Sequence, residues 1–559
     1  MRRWNGWGEE NTSYHFPESA ANYLESLVGP GQPSPDASLE EALAQAPASR
    51  LCQAKEHPLV VTEALERLYH ARGQSLPDWV ALRSGRIGCY PDGVAYPQNA
   101  AEVRQLMAYA AQVGARLVPY GGGTSVVGHI NPLPGEAPTL TLSLARLNRL
   151  VELDETSRLA TVEAGLPGPV LEKLLNERGY TLGHFPQSFE LSTVGGWVAT
   201  RSCGQQSYYY GRIEDLFAGG HVETPQGALD LPTLPASAAG PDLRQMILGS
   251  EGRLGVITQA VLRVRRLPER EAFYGVFFRN WEQGMEAVRQ IAQERIGISM
   301  ARLSNAQETD TTLRLSGKDR LVAWAERGLG LLGYEQCGTG SNGGTGSPAF
   351  GRSGRCLLIF GLTGSRASTR LAGRQVGEIT RAHGGLFTGE VVGKTWRKSR
   401  FLTPYLRNTL WERGYALDTL ETGVTWARVA NMAEALQSAI RQALQEHSQG
   451  NERVLVFAHL SHVYRDGASV YVTYLFRRAE DPDETLERWQ AMKRAASQAL
   501  VAHGGTISHQ HGVGVDHAPY LPAEKGQLGM RLLRQAAAEL DPEGMMNPGK
   551  LFEEQGNVD

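Results

Sequence analysis

The sequence predicts an α+β protein of several domains, and three features of the chain indicate this. At 559 residues the chain is too long to fold around a single core. Between residues 91 and 175 the hydrophobic periods run strand, helix, strand, strand, strand, helix, which is not the regular alternation of a Rossmann fold. Three loops rich in glycine and hydroxyl residues lie within residues 119–258, each attached to a strand. Together these loops predict one long ligand that the backbone holds along its length.

The composition excludes several classes of protein. Hydrophobic content of 41% and charged content of 21% are typical of an ordinary globular protein. A net charge of −3 without a sustained basic stripe gives no reason to expect a nucleic-acid partner. The sequence has neither a run long enough to span a membrane nor an apolar segment behind its first basic residues. Five cysteines without paired spacing predict reduced thiols, so we expect a cytoplasmic protein.

The chain divides into four regions, and the first of them is expected to be mostly helical. The regions are 1–84, 85–268, 269–500 and 501–559. In the first region Ser38 and Glu41 form a capping-box pattern, which predicts the start of a helix. We expect no chemistry in this region, and we interpret Trp4, Trp7 and Trp79 as packing residues.

The second region contains the predicted strands that carry the glycine loops. It opens with a turn and a short strand at 91–97. Asn99 is placed to cap a helix, because apolar residues at helical spacing follow it as far as Ala110. The next predicted elements are strands at 115–120, 139–144 and 159–164 and a helix at 170–175.

The first loop follows directly from the strand at 115–120. Its three consecutive glycines, Gly121, Gly122 and Gly123, allow positive φ angles and a close approach of the backbone to a ligand. Thr124 and Ser125 add two hydroxyl groups. Successive N–H groups in such a turn form a concave surface suited to phosphate oxygens.

Two further stretches are also rich in glycine and hydroxyl residues. Residues 186–200 place hydroxyl residues ahead of Gly195 and Gly196, with small residues beyond, which indicates backbone packed closely against something flat. Residues 247–258 hold three glycines between apolar runs and end in a strand that is predicted from Val256 to Val264. A formal G-x-G-x-x-G in 338–346 is rejected as a dinucleotide site, because no buried strand precedes it and no helix follows it.

Four motifs carry a family resemblance. They are Pro119-Tyr-Gly-Gly-Gly-Thr-Ser125, Ser192-Thr-Val-Gly-Gly-Trp197, Gly211-Arg-Ile-Glu-Asp-Leu216 and Gly249-Ser-Glu-Gly-Arg-Leu-Gly255. They resemble the FAD-binding domain of the vanillyl-alcohol-oxidase type, also called the PCMH type. Within that superfamily the chain resembles the alkyldihydroxyacetonephosphate synthases of ether-lipid synthesis, from about Pro91 to Pro548. The N-terminal Trp4-Asn-Gly-Trp-Gly8 is similar to the start of that family's common region.

The resemblance implies a domain role for each region and a set of cofactor residues. Residues 85–268 would be the FAD-binding domain and 269–500 an α+β cap domain over the flavin ring. Residues 501–559 would complete the active site and the FAD-binding domain. FAD is expected to bind noncovalently, because the triple-glycine loop offers no histidine for a covalent link. The implied FAD-binding residues are Pro119, Tyr120, Gly121, Gly122, Gly123, Thr124, Ser125, Gln187, Ser188, Ser192, Thr193, Gly195, Gly196, Thr200, Glu251, Gly252, Gly255, Val256 and Ile257.

The resemblance also implies the residues of the active site. The implied catalytic residues are Tyr471, His509, His511 and Arg407, and the implied substrate-binding residues are Arg302, Arg407, His459 and His462. A tyrosine beside imidazoles is suited to proton exchange, because a neighbouring base lowers the cost of forming phenolate. The rigid fork of an arginine suits a phosphate or a carboxylate.

The histidine motif leaves two alternatives open. His509 and His511 would share one face of a strand and so could bind a metal, but no carboxylate-rich motif accompanies them, and we expect no metal. The synthase family has three consecutive histidines where this chain has Gln510 between two. Glutamine forms hydrogen bonds but carries no proton at neutral pH, which puts the full acid–base set in question.

Three functions follow as hypotheses. In the first, a synthase exchanges the acyl group of acyl-dihydroxyacetone phosphate for a long-chain alcohol. In the second, an FAD-linked D-2-hydroxyacid dehydrogenase or oxidase, of the D-lactate or glycolate type, passes hydride to the flavin. In the third, a flavoprotein remnant serves only as a binding module, although the intact loops and Tyr471 argue against it. For partners we expect a small-molecule or lipid-like substrate and a homodimer, with peripheral contact to a membrane left open.

Overall fold

The computed structural model describes residues 2–53, 57–315, 329–330, 333–336 and 354–552. The glycine-rich stretch 338–346, rejected above as a dinucleotide motif, lies outside these residues. Within the described ranges, no helix combines the length and the apolar character that crossing a membrane requires. Cys89 and Cys203 carry free thiols.

The first region consists of short helices and one short strand. Its helices are Glu18–Val28, Leu39–Ala44, Ala64–Tyr69 and Leu76–Ser84, with a 3₁₀ turn at Arg50–Gln53 and a strand at Val60–Val61. The predicted capping box is confirmed, because Ser38 Oγ accepts from the Glu41 N–H and Glu41 Oε2 accepts from the Ser38 N–H. The strand pairs with Gly93–Ala95, so this region joins the first sheet of the next one.

Two sheets form the second region. Across the first, the strand order is Val60–Val61, Gly93–Ala95, Thr139–Ser143 and Arg116–Tyr120. Across the second, the order is Leu150–Asp154, Leu159–Glu163, Val256–Arg263, Phe217–Thr224 and Gly227–Leu231. The helices are Ala100–Gln112, Gly168–Asn176, Val194–Thr200, Ser207–Tyr210, Ile213–Leu216 and Arg244–Ile247, with a 3₁₀ turn at Leu144–Arg146. A two-stranded ribbon joins Tyr180–Thr181 to Arg265–Arg266.

The predicted strands are confirmed, and the structure adds several that the sequence did not predict, among them Leu150–Asp154, Phe217–Thr224 and Gly227–Leu231. Leu150–Asp154 is an edge strand of the second sheet, and none of its residues is buried. An edge strand that lies on the surface has no clear hydrophobic alternation, so the pattern that marks buried strands is missing there.

A seven-stranded sheet organises the third region. Its strand order is Leu386–Phe387, Arg270–Phe278, Cys356–Gly364, Met300–Ser304, Val454–Val463, Gly467–Arg477 and Tyr415–Thr425, all antiparallel. The helices are Trp281–Gln293, Ala306–Leu315, Arg366–Ala382, Val391–Ser399, Thr403–Glu412, Val429–His447 and Pro482–Ala502, with a 3₁₀ turn at Trp426–Arg428. The last two strands, Gly467–Arg477 and Tyr415–Thr425, line the same cavity as the glycine loops of the second region.

The C-terminal segment returns to the second region. After a 3₁₀ turn at Ala518–Tyr520 and a helix at Leu521–Leu540, Met546 forms a bridge with Leu117, and the Asn547 N–H donates to the Leu117 carbonyl at 2.7 Å. The Asn547 side chain donates to the carbonyls of His129, at 3.0 Å, and Glu251, at 2.6 Å. The segment therefore braces two of the glycine loops.

Candidate active site

A cavity of about 290 Å³ runs between the glycine loops and the cap sheet. All the FAD-binding residues implied by the sequence line it except Val256, whose side chain is buried in the strand Val256–Arg263. From the cap it is lined by Arg407, Tyr471 and His511 among the predicted residues. Arg302, His459, His462 and His509 do not line it, which corrects the site drawn from the sequence.

The triple-glycine loop is packed tightly against residues 191–193. A Cβ on Gly122 would overlap the carbonyl oxygen of Leu191, and one on Gly121 would overlap Thr193 Oγ1. Of the three glycines only Gly123 has a positive φ, at 70°. The expectation of positive φ therefore holds for Gly123 alone, and the other two are needed for close packing.

The same loop offers free donors to the cavity. In the described part of the chain, no acceptor takes a hydrogen bond from the backbone N–H groups of residues 122–125. Thr193 Oγ1, across the loop, is buried without a partner there as well. Unpaired donors in a partly buried turn favour a ligand that accepts from them, and phosphate oxygens are strong acceptors. The loop therefore fits the pyrophosphate of FAD.

Gly195 and Gly196 lie in a helix, which corrects their description as a loop. They belong to the first turn of Val194–Thr200, with Thr193 in the extended conformation before it. A Cβ on Gly195 would lie 2.8 Å from the Cβ of Ala164, so this helix sits directly on the second sheet. Gly195 thus serves helix–sheet packing, and the start of the helix, including Gly196, lines the cavity.

The third loop is tied to the C-terminal segment through Glu251. Its carboxylate accepts from the N–H groups of Val513, at 2.5 Å, and Gly514, at 2.8 Å. His129 Nε2 lies 3.2 Å from the same carboxylate, and His129 Nδ1 lies 2.8 Å from Ser125 Oγ. The sequence had offered no histidine at this loop, yet His129 lines the cavity. His129 therefore links the two loops: its Nδ1 shares a hydrogen bond with Ser125, while its Nε2 faces the Glu251 carboxylate without forming a hydrogen bond among the described residues.

The N-terminal region also contributes to the cavity, contrary to the expectation that it carries no chemistry. Trp7 and Gln74 line the wall. The carbonyl of Gln74 accepts from Arg407 Nη1 at 2.6 Å, and the guanidinium lies 4.4 Å from the ring centroid of Trp79. The N-terminal region therefore holds one of the predicted catalytic residues in place.

Arg407 lines the cavity and has one unpaired donor. Its Nη2 atom is buried without a partner among the described residues. Burial lowers the pKa of Arg407 to about 10, while Asp418 and Tyr471 oppose that shift. A buried guanidinium with a free N–H is an anion site, because a phosphate or carboxylate would satisfy both the charge and the hydrogen bond.

Tyr471 lies on the strand next to the edge of the cap sheet, opposite Glu421 on one side and His459 on the other. Its ring stacks on His459 at 4.8 Å and meets the edge of His511 at 5.8 Å. These are ring contacts, so the predicted activation by a neighbouring base is absent from this arrangement. Burial raises the pKa of Tyr471, which makes it a neutral hydroxyl donor at physiological pH.

The histidine motif divides into two environments. His511 and Gln510 line the cavity, and burial lowers the pKa of His511. His509 turns away, where Arg212 Nη1 donates to its Nε2 at 2.8 Å and the Tyr464 hydroxyl lies 2.7 Å from the same atom. Residues 507–513 form no strand, so the shared face expected for His509 and His511 does not exist.

Behind the cavity, Glu421, His462 and His509 come together. Their ligand atoms lie within 4.8 Å of one another, and all three residues are buried. Nearby charges, with His509 the largest, hold the pKa of Glu421 well below its usual range although burial opposes them. The guanidinium of Arg212 already touches His509, and a cation there would meet that charge. Arg212 itself forms an ion pair with Glu214 at 2.6 Å, and Glu421 faces His509 Nδ1 at 3.2 Å.

Arg302 is committed to a partner in the cap. It donates to Glu308 Oε1 at 2.6 Å, and His459 Nδ1 lies 3.0 Å from the same oxygen. Although burial would raise the pKa of Glu308, His459 and Arg302 hold it at about 2. Of the two arginines implied for substrate binding, only Arg407 is free to meet an anion in the cavity.

Two protein-family models match the chain. One, described as an FAD binding domain, covers residues 91–230, and the other, described as FAD linked oxidases, C-terminal domain, covers residues 267–551, just over half of the chain. The chain belongs to the FAD-linked oxidase family. This confirms FAD as the cofactor and the α+β fold with a PCMH-type FAD-binding domain and a cap.

Individual members of the FAD-linked oxidase family are similar over nearly the whole chain. Alkyldihydroxyacetonephosphate synthase of Dictyostelium discoideum is 29% identical, with 98% of this chain and 93% of the relative covered. A solved structure of alkyldihydroxyacetonephosphate synthase superposes with a TM-score of 0.80 at 26% identity, covering 98% of each chain. The mitochondrial D-lactate dehydrogenase [cytochrome] of Arabidopsis thaliana is 26% identical over 97% of this chain and 86% of that protein.

In this FAD-linked oxidase we expect the flavin to be noncovalent. The only histidine found at the phosphate loop, within the described residues, is His129, whose Nδ1 lies 2.8 Å from Ser125 Oγ and whose Nε2 faces the Glu251 carboxylate at 3.2 Å. Acid or heat denaturation of the yellow holoprotein should release FAD into the supernatant. Fluorescence that stays with the polypeptide band on a denaturing gel would show a covalent link instead.

Proposed function

We propose that this protein is an FAD-dependent alkyldihydroxyacetonephosphate synthase, which exchanges the acyl group of acyl-dihydroxyacetone phosphate for a long-chain alcohol. The observation that carries the proposal is the free Nη2 of Arg407 in the wall of a cavity that continues from the glycine loops. The similarity to synthases over nearly the full chain supports it.

In the proposal the two halves of the cavity have different tasks. The glycine loops and the start of the helix Val194–Thr200 hold FAD, and the cap residues hold the substrate. When bound, FAD supplies an electron-accepting ring, which no side chain of the cavity can provide. Arg407 would bind the phosphate of the substrate through its free N–H, because a buried cation and a dianion neutralise each other.

Tyr471 and His511 would then handle protons. His511, whose pKa is lowered by burial, stays neutral and would accept the proton of the incoming alcohol. Tyr471, whose pKa is raised, stays protonated and would donate a hydrogen bond to the carboxylate oxygen that leaves with the acyl chain. Gln510 stands beside them in the wall as a hydrogen-bonding group that carries no charge. The C–O bond to the acyl group breaks and a C–O bond to the alcohol forms, so no net oxidation occurs.

The second candidate is a D-2-hydroxyacid dehydrogenase. Arg407 favours it equally, because the same fork binds a carboxylate, and His511 could remove the hydroxyl proton as hydride leaves. The similarity to D-lactate dehydrogenase agrees with this chemistry.

An exchange assay separates the two candidates. We expect a labelled long-chain alcohol to replace the acyl group of acyl-dihydroxyacetone phosphate in the presence of the holoenzyme. The flavin absorbance should stay that of the oxidised form. The matched anaerobic measurement adds D-lactate or glycolate without an electron acceptor. Lasting bleaching of the flavin, together with no exchange of alcohol, would replace the synthase by the dehydrogenase.

Two further expectations concern contact with a membrane and the oligomeric state. We propose peripheral contact with a membrane, because long acyl and alkyl chains reside in bilayers. Leu528 and Leu532 support it, since they lie one turn apart on the helix Leu521–Leu540 and are 63% and 64% exposed. The homodimer expected from the sequence stays a prediction.

A further inference from the structure

A second cavity, of about 510 Å³, lies away from the active site. It is enclosed by residues 34–45, the helix Leu76–Ser84, Trp411 at the end of the helix Thr403–Glu412, and the start of the helix Pro482–Ala502. None of the residues implied for FAD or substrate lines it. Its position between the N-terminal region and the cap makes it separate from the proposed chemistry.

Arg478 is the unusual residue of this cavity. It is 7% exposed, and its Nε and Nη2 atoms have no partner among the described residues. These two atoms form one edge of the guanidinium, the edge that binds two oxygens of a phosphate or carboxylate at once. Its flat face lies 4.2 Å from the ring centroid of Trp411, which fixes the plane of the fork.

The buried charges around Arg478 do not balance. Arg83, which is 2% exposed, forms an ion pair with Asp36, and the Trp411 indole N–H donates to Asp36 at 3.1 Å. Asp36 is therefore occupied, and two buried guanidinium groups face one carboxylate. The remaining charged residues of the described wall, Arg86, Glu41 and Glu480, are exposed. Burial lowers the pKa of Arg478 to about 10, as expected for an uncompensated cation.

We propose that this cavity is a binding site for an oxyanion, a phosphate or phosphate monoester, held by the free edge of Arg478. A buried guanidinium edge without acceptors is costly, and a bound oxyanion would remove that cost by supplying two acceptors and a negative charge. Arg83 adds a second positive charge to the same wall. The volume leaves room for an organic group beside the phosphate.

The cavity is connected to the active site by a stack of rings and guanidinium groups. Trp411 lies 6.1 Å from Trp79, and Trp79 carries Arg83 on one side and Arg407 on another, at 5.2 Å and 4.4 Å. Arg83 also donates to Asn408, the neighbour of Arg407, at 3.0 Å. An anion at Arg478 would therefore act on the elements that orient Arg407.

The test is a calorimetric titration of the holoenzyme with inorganic phosphate at constant ionic strength. Besides binding at Arg407, we expect a second binding event, which Arg478→Gln weakens at least about tenfold because charge-assisted hydrogen bonds are lost. The same event should persist in Arg407→Gln, which removes the anion site of the active-site cavity. The matched control is Arg413→Gln, because Arg413 also lies over an aromatic ring, that of Phe16, and lines neither cavity.

A second variant and a second anion complete the test. Arg478→Lys keeps the charge but removes the two-pronged edge, so it should bind phosphate more weakly than the wild type; it decides the matter if Arg478→Gln does not fold. Acetate replaces phosphate in a parallel titration, and binding of acetate that Arg478→Gln abolishes would assign a carboxylate to the same edge. Identical isotherms for the wild type and both Arg478 variants, with either anion, would overturn the proposal. Because binding is measured without turnover, this result is independent of the proposed reaction.

Discussion

Replacing Tyr471 by phenylalanine should lower turnover by about 10²–10⁴-fold, the usual contribution of one positioned proton donor or acceptor. The change removes one hydroxyl and almost no volume, so the ring contacts with His459 and His511 should remain. The FAD loops lie on other elements, and flavin content should equal that of the wild type. KM should change much less than kcat, which would place the loss in the transition state.

The matched control for this prediction is Tyr274→Phe. Tyr274 also lies on a strand of the cap sheet, but its hydroxyl meets Arg270 at 3.0 Å and lines neither cavity. We expect its activity to match the wild type. If Tyr471→Phe is equally silent, in both the exchange assay and the hydroxyacid assay, then the hydroxyl of Tyr471 takes no part in catalysis.

Gly122→Ala should yield protein with less than about one-tenth of the wild-type flavin. The added Cβ would overlap the carbonyl oxygen of Leu191, a backbone atom that cannot rotate away. The triple-glycine loop and residues 191–193 would have to separate, and both line the FAD cavity. Overpacking of this kind usually costs about 1–3 kcal/mol, so the cap should remain folded. Flavin absorbance relative to protein absorbance after gel filtration measures the effect.

Two other glycines distinguish damage to the protein from damage to the cofactor site. A Cβ on Gly196 would have Thr193 Oγ1 at 3.4 Å as its nearest neighbour, and one on Gly297 would touch nothing within 4 Å. Gly297→Ala should therefore behave as the wild type. Gly196→Ala should melt as the wild type does but bind FAD more weakly, because Gly196 faces the cavity. Full flavin content in Gly196→Ala would show that the cofactor keeps its distance from this helix.

The glycine loops could be predicted from the sequence because their signal is local. Consecutive glycines next to a strand indicate a backbone that needs positive φ angles or a close neighbour, whatever the rest of the chain does. The same reasoning overstated the use of positive φ angles, because Gly121 and Gly122 have none and serve packing. It also described a loop at Gly195 and Gly196, which begin a helix. Composition identifies where backbone approaches something closely, but it does not say whether that partner is a ligand or the protein itself.

The parts of the cavity wall that come from distant segments of the chain could not be predicted from the sequence. The backbone N–H of Trp7 donates to the side chain of Asn408, 401 residues away in sequence. The Arg407 side chain donates to the carbonyl of Gln74, 333 residues away. No spacing rule relates such positions. The orientation of His509 was missed for a similar reason, because it depends on Arg212 and Tyr464 from two other parts of the chain.

The C-terminal brace has a consequence for biosynthesis. Asn547 holds the carbonyl of His129 although 418 residues separate them, and Lys550 Nζ donates to the carbonyl of Asn131 at 2.6 Å. A nascent chain emerges from the ribosome N-terminus first, so the early domain appears long before the residues that brace its loops. We therefore expect FAD to bind stably only once the segment around residue 550 has left the ribosome.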